Sequence, residues 1–321
     1  MMRKLIITTL FVLPALPALP WGFFGHKMIN RHAIFLLPPE MMILYKPHLD
    51  FIEEHAVDPD KRRYAVKQEA PRHYIDMDRF HPWDSIPSYY NKAVEKYGED
   101  SLARHGIVPW WIQTMTSRLT KAFELKDKFA IIKLSAELGH YISDAHVPLH
   151  TSSNHNGQLT NQVGIHGFWE SRVPELFAEQ EFDLIVGKAR YIKSVSALAW
   201  KVVKQSAAAS DSVLRFEMLL NNSFRTDAKF SYENRNGVVV RQYSTAYSKA
   251  YHDMLNGMVE RRMRESILAT ASLWYTAWVN VGQPDLREIA GKTFTDQELE
   301  EWEQLNREWK ELGMAGSSCA N

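Results

Sequence analysis

The stretch 139–172, GHYISDAHVPLHTSSNHNGQLTNQVGIHGFWESR, constrains this chain more than any other. It holds five of the thirteen histidines. His140 and Asp144 are four residues apart, and so are His166 and Glu170. On a helix that spacing puts both members of a pair on one face, one turn apart. With His150 between them, the two pairs offer five nitrogen and oxygen ligands, a set zinc accepts without thiolate. Two such pairs and a central histidine, separated by Pro148 and the loop 151–164, point to a metal cluster. The alternative is a group of histidines that cap helices or line a polar groove.

Helical periodicity dominates the chain from Leu119 onward. It predicts helices over 121–143, ending near Pro148, from 168 to 178, over 185–205, and over 211–221 with Ser210 as N-cap. A long helical stretch follows over 244–281, bent or broken near Gly257. A charged helix over 295–312 opens on the capping-type sequence T-D-Q-E. Upstream, 28–37 and 39–54 read as helices split by Pro38 and Pro39, and 85–106 as loop with a short helix. Segment 230–243, with N-R-N-G before V-V-V, reads as a hairpin or extended excursion. Strand signals are otherwise sparse, so the expected class is all-α.

Residues 1–20 carry Arg3 and Lys4, an apolar run over 5–13 and then Pro14 to Pro20. That is the pattern of a secretory signal, with an uncleaved anchor as the alternative. No later segment has ~18 consecutive apolar residues, so none is expected to span a membrane. Basic and acidic residues are equal at 38 each. Loss of 1–20 removes two cations and no acid, so the chain has no general electrostatic footprint for nucleic acid. A polyanion would have to be held locally. Cys319 is the single cysteine, which rules out an intrachain disulfide. The 45 % apolar composition is ample for a core. The division expected is a signal over 1–20, a main domain over 21–285 and a helical tail over 286–321.

With these ligands and helices in view, the chain resembles the superfamily that joins S1/P1-type nucleases and zinc-dependent phospholipases C. Its motifs are Trp21 with His26 in W-G-F-F-G-H, Asp58 fifteen residues before His73, His140-x3-Asp144 followed by Pro148-Leu149-His150, and His166-x3-Glu170. The resemblance implies a multi-helix all-α domain with three zinc ions in a cleft, secreted or periplasmic. It implies that Asp58, His73, His140 and Asp144 hold one zinc, and that His150, His166 and Glu170 hold a second. The free amine and carbonyl of Trp21, with His26 and a bridging Asp144, would hold the third. Asp58 would also orient the attacking water, and Lys61 would offset charge on the phosphorus. The bland reading of Lys61, in a D-K-R-R run, is a solvated face.

The same motifs divide on the substrate. Glu170 and the short His150–His166 interval are as in the phospholipases. The step from Trp21 to His26 and the run D-A-H-V-P-L-H are nuclease-like. The expected function is a secreted zinc phosphodiesterase acting on single-stranded nucleic acid or nucleotides. The alternatives are a phospholipase C acting on phospholipid head groups and a non-catalytic helical zinc-binding module.

Other residues have duller expectations. His146 sits two residues from Asp144 and is expected to hydrogen-bond near the metal without ligating it. His155 is expected to be exposed. Asp76 and Asp78 either orient His73 or serve the loop. Trp110 and Trp111 either stack a base or acyl chain or belong to the core. The run 261–264 is expected to be a helix surface.

Overall fold

The computed structural model describes residues 22–235 and 237–315. The described chain is all-α, with one two-stranded excursion. Its centre is the Lys128–His146 helix, packed by Val108–Leu125, Val195–Ser223, Met258–Asn280 and Gly22–Ile34. Lys128–His146 is buried without interruption from Ser135 to His146, so this part of the helix is interior and has no solvent face. Ile131, Ile132, Leu138 and Ile142 are fully buried there, each contributing about 1.5–3 kcal/mol of transfer free energy. Trp274 Nε1 donates to Ser135 O at 2.9 Å, so its polar edge is satisfied inside the core.

The helix starts where Asp127 accepts from Ala130 N at 3.0 Å. It stops at Val147, which adopts an extended conformation before Pro148. The continuous helix expected over 121–143 is therefore two helices. Lys126 enters the left-handed region at φ 52° to end the first, and Asp127 caps the second.

Some other boundaries differ, and others fall where the residue pattern placed them. The helices expected over 185–205 and 211–221 are one helix, Val195–Ser223, capped by Ser194. Ser210 does not cap; its Oγ donates to Ala207 O inside the helix. Residues 184–192 are not helical. They lie across the body, where Arg190 N and Ile192 N donate to Ser272 Oγ and Thr276 Oγ1, so tertiary hydrogen bonds replace helical ones. The stretch 244–281 is split into Thr245–Met254 and Met258–Asn280, with Gly257 at φ +71° between them. The 39–54 segment is broken into Pro39–Tyr45, Lys46–His48 and Leu49–Glu54. The 230–243 excursion is an antiparallel hairpin, Phe230–Arg235 with Val238–Tyr243, in register Phe230↔Tyr243. Thr295 and Glu298 form the reciprocal cap that opens Asp296–Ala315.

One close approach sets the geometry of the site. A Cβ on Gly139 would lie 1.9 Å from Asn30 Oδ1. Only glycine lets the Gly22–Ile34 helix come this near the Lys128–His146 helix. Asn30 Nδ2 then donates to Ala136 O at 3.0 Å and Ile52 O at 3.3 Å. One turn from Asn30, the His26 ring stacks on His140 with centroids 3.9 Å apart.

Candidate metal centre

The last two turns of the Lys128–His146 helix present His140 and Asp144, both buried. His140 Nε2 lies 3.2 Å from Asp144 Oδ2, as their spacing requires. The turn at 70–73 brings His73 Nδ1 to 2.9 Å from Asp144 Oδ2 and 3.0 Å from His140 Nε2. His26 Nε2 stands 3.4 Å from Asp144 Oδ1. Asp60, from the Asp58–Arg62 turn, places Oδ1 3.7 Å from both His73 and His140. On the other side, His150 Nδ1 is 3.9 Å from Asp144 Oδ1, and its Nε2 is 3.3 Å from Glu170 Oε2. His166 Nε2 is 3.0 Å from Glu170 Oε1. Among the described residues, three groups are placed so that they could hold a metal ion: His26, Asp60, His140; His73, His140, Asp144; and His150, His166, Glu170. Asp144 lies between the first side and the second.

The backbone decides which ring nitrogen faces the cluster. His140 Nδ1 donates to Ala56 O at 2.8 Å, His150 Nδ1 to His73 O at 2.7 Å, and His166 Nδ1 to His155 O at 3.0 Å. Each leaves Nε2 as the nitrogen that faces the cluster, the arrangement that selects the ligating atom of a metal-binding histidine. His73 is reversed: Nδ1 faces the cluster and Nε2 lies 3.6 Å from Glu69 Oε1. Glu69 is fully buried and accepts from Arg62, Arg72 and Tyr141.

Glu170 sits in a π-helical segment, Phe168–Arg172, with wider turns than an α-helix. That segment is anchored beyond the site, since Arg172 donates to Tyr243 O and to the Glu233 carboxylate on the hairpin. Asp78 accepts from Ser153 N at 2.8 Å and ties the 151–164 loop to the 73–79 segment.

Burial would raise the Asp144 carboxyl, but His140 and His150 hold it well below its usual range. Glu170 is held at about 2 against burial, by His166 and His150. Burial would depress His140 and His150, yet the carboxylates beside them win. Asp144 and Asp60 raise His140, and Asp144 and Glu170 raise His150 to about 9. His26 is lowered by burial, with His140 adding to the effect. The cluster thus favours ionised Asp144 and Glu170 and positive charge on His140 and His150. Buried Asp60 Oδ2, His150 Nε2 and both Glu170 oxygens make no hydrogen bond. Such atoms are costly unless something satisfies them, and a divalent cation does so. Nitrogen and carboxylate oxygen without sulfur suit zinc.

The sequence-expected residues fall as follows. His26, His73, His140, Asp144, His150, His166 and Glu170 come together. Trp21 lies outside the described residues; the next residue, Gly22, donates its N–H to Ser171 Oγ at 2.8 Å. Asp58 is in none of the three groups. Its oxygens accept from His55 Nδ1 at 2.6 Å and Lys61 Nζ at 2.9 Å. Lys61 is neither a solvated face nor aimed at the cluster: it is 8 % exposed, and its ammonium also donates to Asn306 at 2.8 Å. The carboxylate presented by the D-P-D sequence is that of Asp60.

His146 makes no bond to a ligand; its Nδ1 donates to Ile142 O within the helix. His155 is half-buried and orients His166 with its carbonyl. Asp76 accepts from His105 and Asp78 from Ser153, so both serve the loops. Trp110 is core, and Trp111 is stacked by Arg72 and Arg118. Arg261 is surface, but Arg262 is buried and donates to His146 O. Two residues were missed. Asp60 had no signal separating it from Asp58. Glu69 did, for Glu69 and His73 share the four-residue spacing of the other pairs.

Residues 21–266 match the family model described as S1/P1 Nuclease. No curated protein is matched. The matched span contains every ligand candidate, from His26 to Glu170, and most of the chain; this protein belongs to the S1/P1 nuclease family.

Proposed function

We propose that this chain is an exported phosphodiesterase that uses three zinc ions to cleave single-stranded nucleic acid or nucleotides. The observation that carries the reading is the continuity of the cluster through Asp144, which lies within 4 Å of His26, His73, His140 and His150. One ligand set is Asp60, His73, His140 and Asp144; a second is His150, His166 and Glu170. His26 and the amine and carbonyl of Trp21 form the third, with Asp144 shared. Zinc in these sets supplies Lewis acidity toward phosphoryl oxygens and lowers the pKa of water to near neutrality. Asp60 keeps Oδ2 for orienting that water. Arg63, whose Nη1 lies 3.9 Å from Asp60, is the cation placed to counter phosphate charge. Release of residues 1–20 would expose the Trp21 amine.

Phospholipase C action is a second reading, favoured by Glu170 in place of a shorter carboxylate and by the short His150–His166 interval. Both are tested by one panel: single-stranded DNA, RNA, a 3′-nucleotide and phosphatidylcholine, each with and without chelator. Chelator-sensitive cleavage of the nucleic acids is expected. Cleavage of phosphatidylcholine alone would transfer the assignment to the lipid. One zinc per chain or none, with no cleavage, would leave a binding module.

A further inference from the structure

The Asp296–Ala315 helix lies beyond the matched family span, yet it is fastened to the metal side of the molecule. Trp302 is 4 % exposed. Its ring lies 3.8 Å from Phe51, 4.6 Å from Phe129 and 5.0 Å from His55, centroid to centroid. One turn on, Asn306 Oδ1 accepts from Lys61 Nζ at 2.8 Å. Lys61 in turn holds Asp58, and Asp58 holds His55 Nδ1 at 2.6 Å. The loop closed by these bonds, 55–61, carries the Ala56 carbonyl that orients His140 and carries Asp60 itself. Trp309 packs on Phe23, at the start of the helix that bears His26.

We propose that the Asp296–Ala315 helix is a positioning element for one side of the metal cluster. Through Trp302 and Asn306 it clamps the 55–61 turn, and so sets the His140 ring and the Asp60 carboxylate. This rests on the reading of the cluster as a zinc site. The physical reason is leverage. The Asp58–Arg62 helix is too short to be stable alone, so the direction of Asp60 depends on what holds the turn. Lys61, with both its hydrogen bonds in place, is a cross-link from that turn to the C-terminal helix. The partners named here lie on the elements bearing His26, Asp60 and His140, or on the 49–57 segment that runs into the Asp60 turn. None lies on the 165–181 segment that bears His166 and Glu170.

That asymmetry gives a test a purely stabilising helix would fail. Full-length wild type, Asn306→Ala, Trp302→Ala, a chain ending at Phe294, and Val213→Ala as a core control are loaded with zinc. Each is then equilibrated with graded chelator, and zinc per chain is counted. Asn306→Ala and the truncated chain should release part of their zinc at about 10- to 100-fold lower chelator, the range for loss of a partner that orients a ligand. One zinc, at His150, His166 and Glu170, should leave at the wild-type concentration. Val213→Ala should lower the melting temperature without splitting the release curve. Release of all zinc together, or unchanged release in both Asn306→Ala and Trp302→Ala, would overturn the clamp. A wild-type chain that takes up no zinc would overturn the metal reading and the clamp with it.

Discussion

Glu69 stands 3.6 Å behind His73, on the side of the ring opposite Asp144. The ring is thus held between two carboxylates, one facing the cluster and one bound to Arg62 and Arg72. A carboxylate on the outer nitrogen raises the basicity of a ligating histidine and fixes its angle. Glu69→Gln keeps the volume and removes the charge. Zinc affinity should fall about 10- to 100-fold. Stability should fall by about 1.5–3 kcal/mol, because two half-buried guanidinium partners lose their anion. Chelator titration and denaturant unfolding read the two effects separately.

Asp60 and Asp58 should part company. Asp60→Asn should lose zinc and cut turnover by at least about 100-fold, since a neutral amide is a poor ligand. Asp58→Asn should keep near-wild-type zinc at saturation. Lys61→Ala should mimic Asp58→Asn, since the two share a bond. Metal analysis beside steady-state kinetics decides; zinc loss in Asp58→Asn with full zinc in Asp60→Asn would reverse the assignment.

Gly139→Ala should destabilise although alanine is the better helix former by about 1 kcal/mol. Its Cβ meets Asn30 Oδ1 at 1.9 Å, and overpacking of this kind costs about 1–3 kcal/mol. Asn30→Ala in the same chain should recover part of that loss, because the two positions share one contact. Thermal melts of the single and double variants give the coupling.

Metal-free protein should lose stability as pH rises above neutrality. His150 titrates near 6.5 in the unfolded chain and near 9 in the metal-free fold, raised by Asp144 and Glu170. Its contribution is complete below pH 6.5 and is lost as pH climbs through 9, on the order of 2–3 kcal/mol. Glu170 acts in the opposite direction, its contribution being lost only as pH falls from 4.5 toward about 2. Melts of chelated protein from pH 6 to 10 should show the alkaline decline. Zinc-loaded protein should not, since the metal takes the place of the proton.

A residue left in front of Trp21 should remove about one zinc, because a backbone amine ligates only when free and uncharged. Mass spectrometry of exported protein and metal analysis of tagged and trimmed chains check this. Three zincs at full activity in a tagged chain would exclude the amine.

Much of the centre was legible in the chain because it is local. His140 with Asp144, and His166 with Glu170, are fixed by helical pitch, and a four-residue spacing needs no tertiary knowledge. The all-α class was legible for the same reason, as was the hairpin at 230–243. What was not legible depended on contacts far apart in sequence. D-P-D offers two carboxylates two residues apart. The choice of Asp60 comes from His55 and Lys61 claiming Asp58, and from Asn306, 245 residues away, claiming Lys61. The 185–205 reading failed because Ser272 and Thr276 draw the backbone of 190–192 out of helical pairing. Residue order alone sets which ligand types exist and which pairs share a turn. Which carboxylate stands beside them and which ring nitrogen each histidine turns inward are settled on folding, because those choices are hydrogen bonds between segments that meet only in the folded chain.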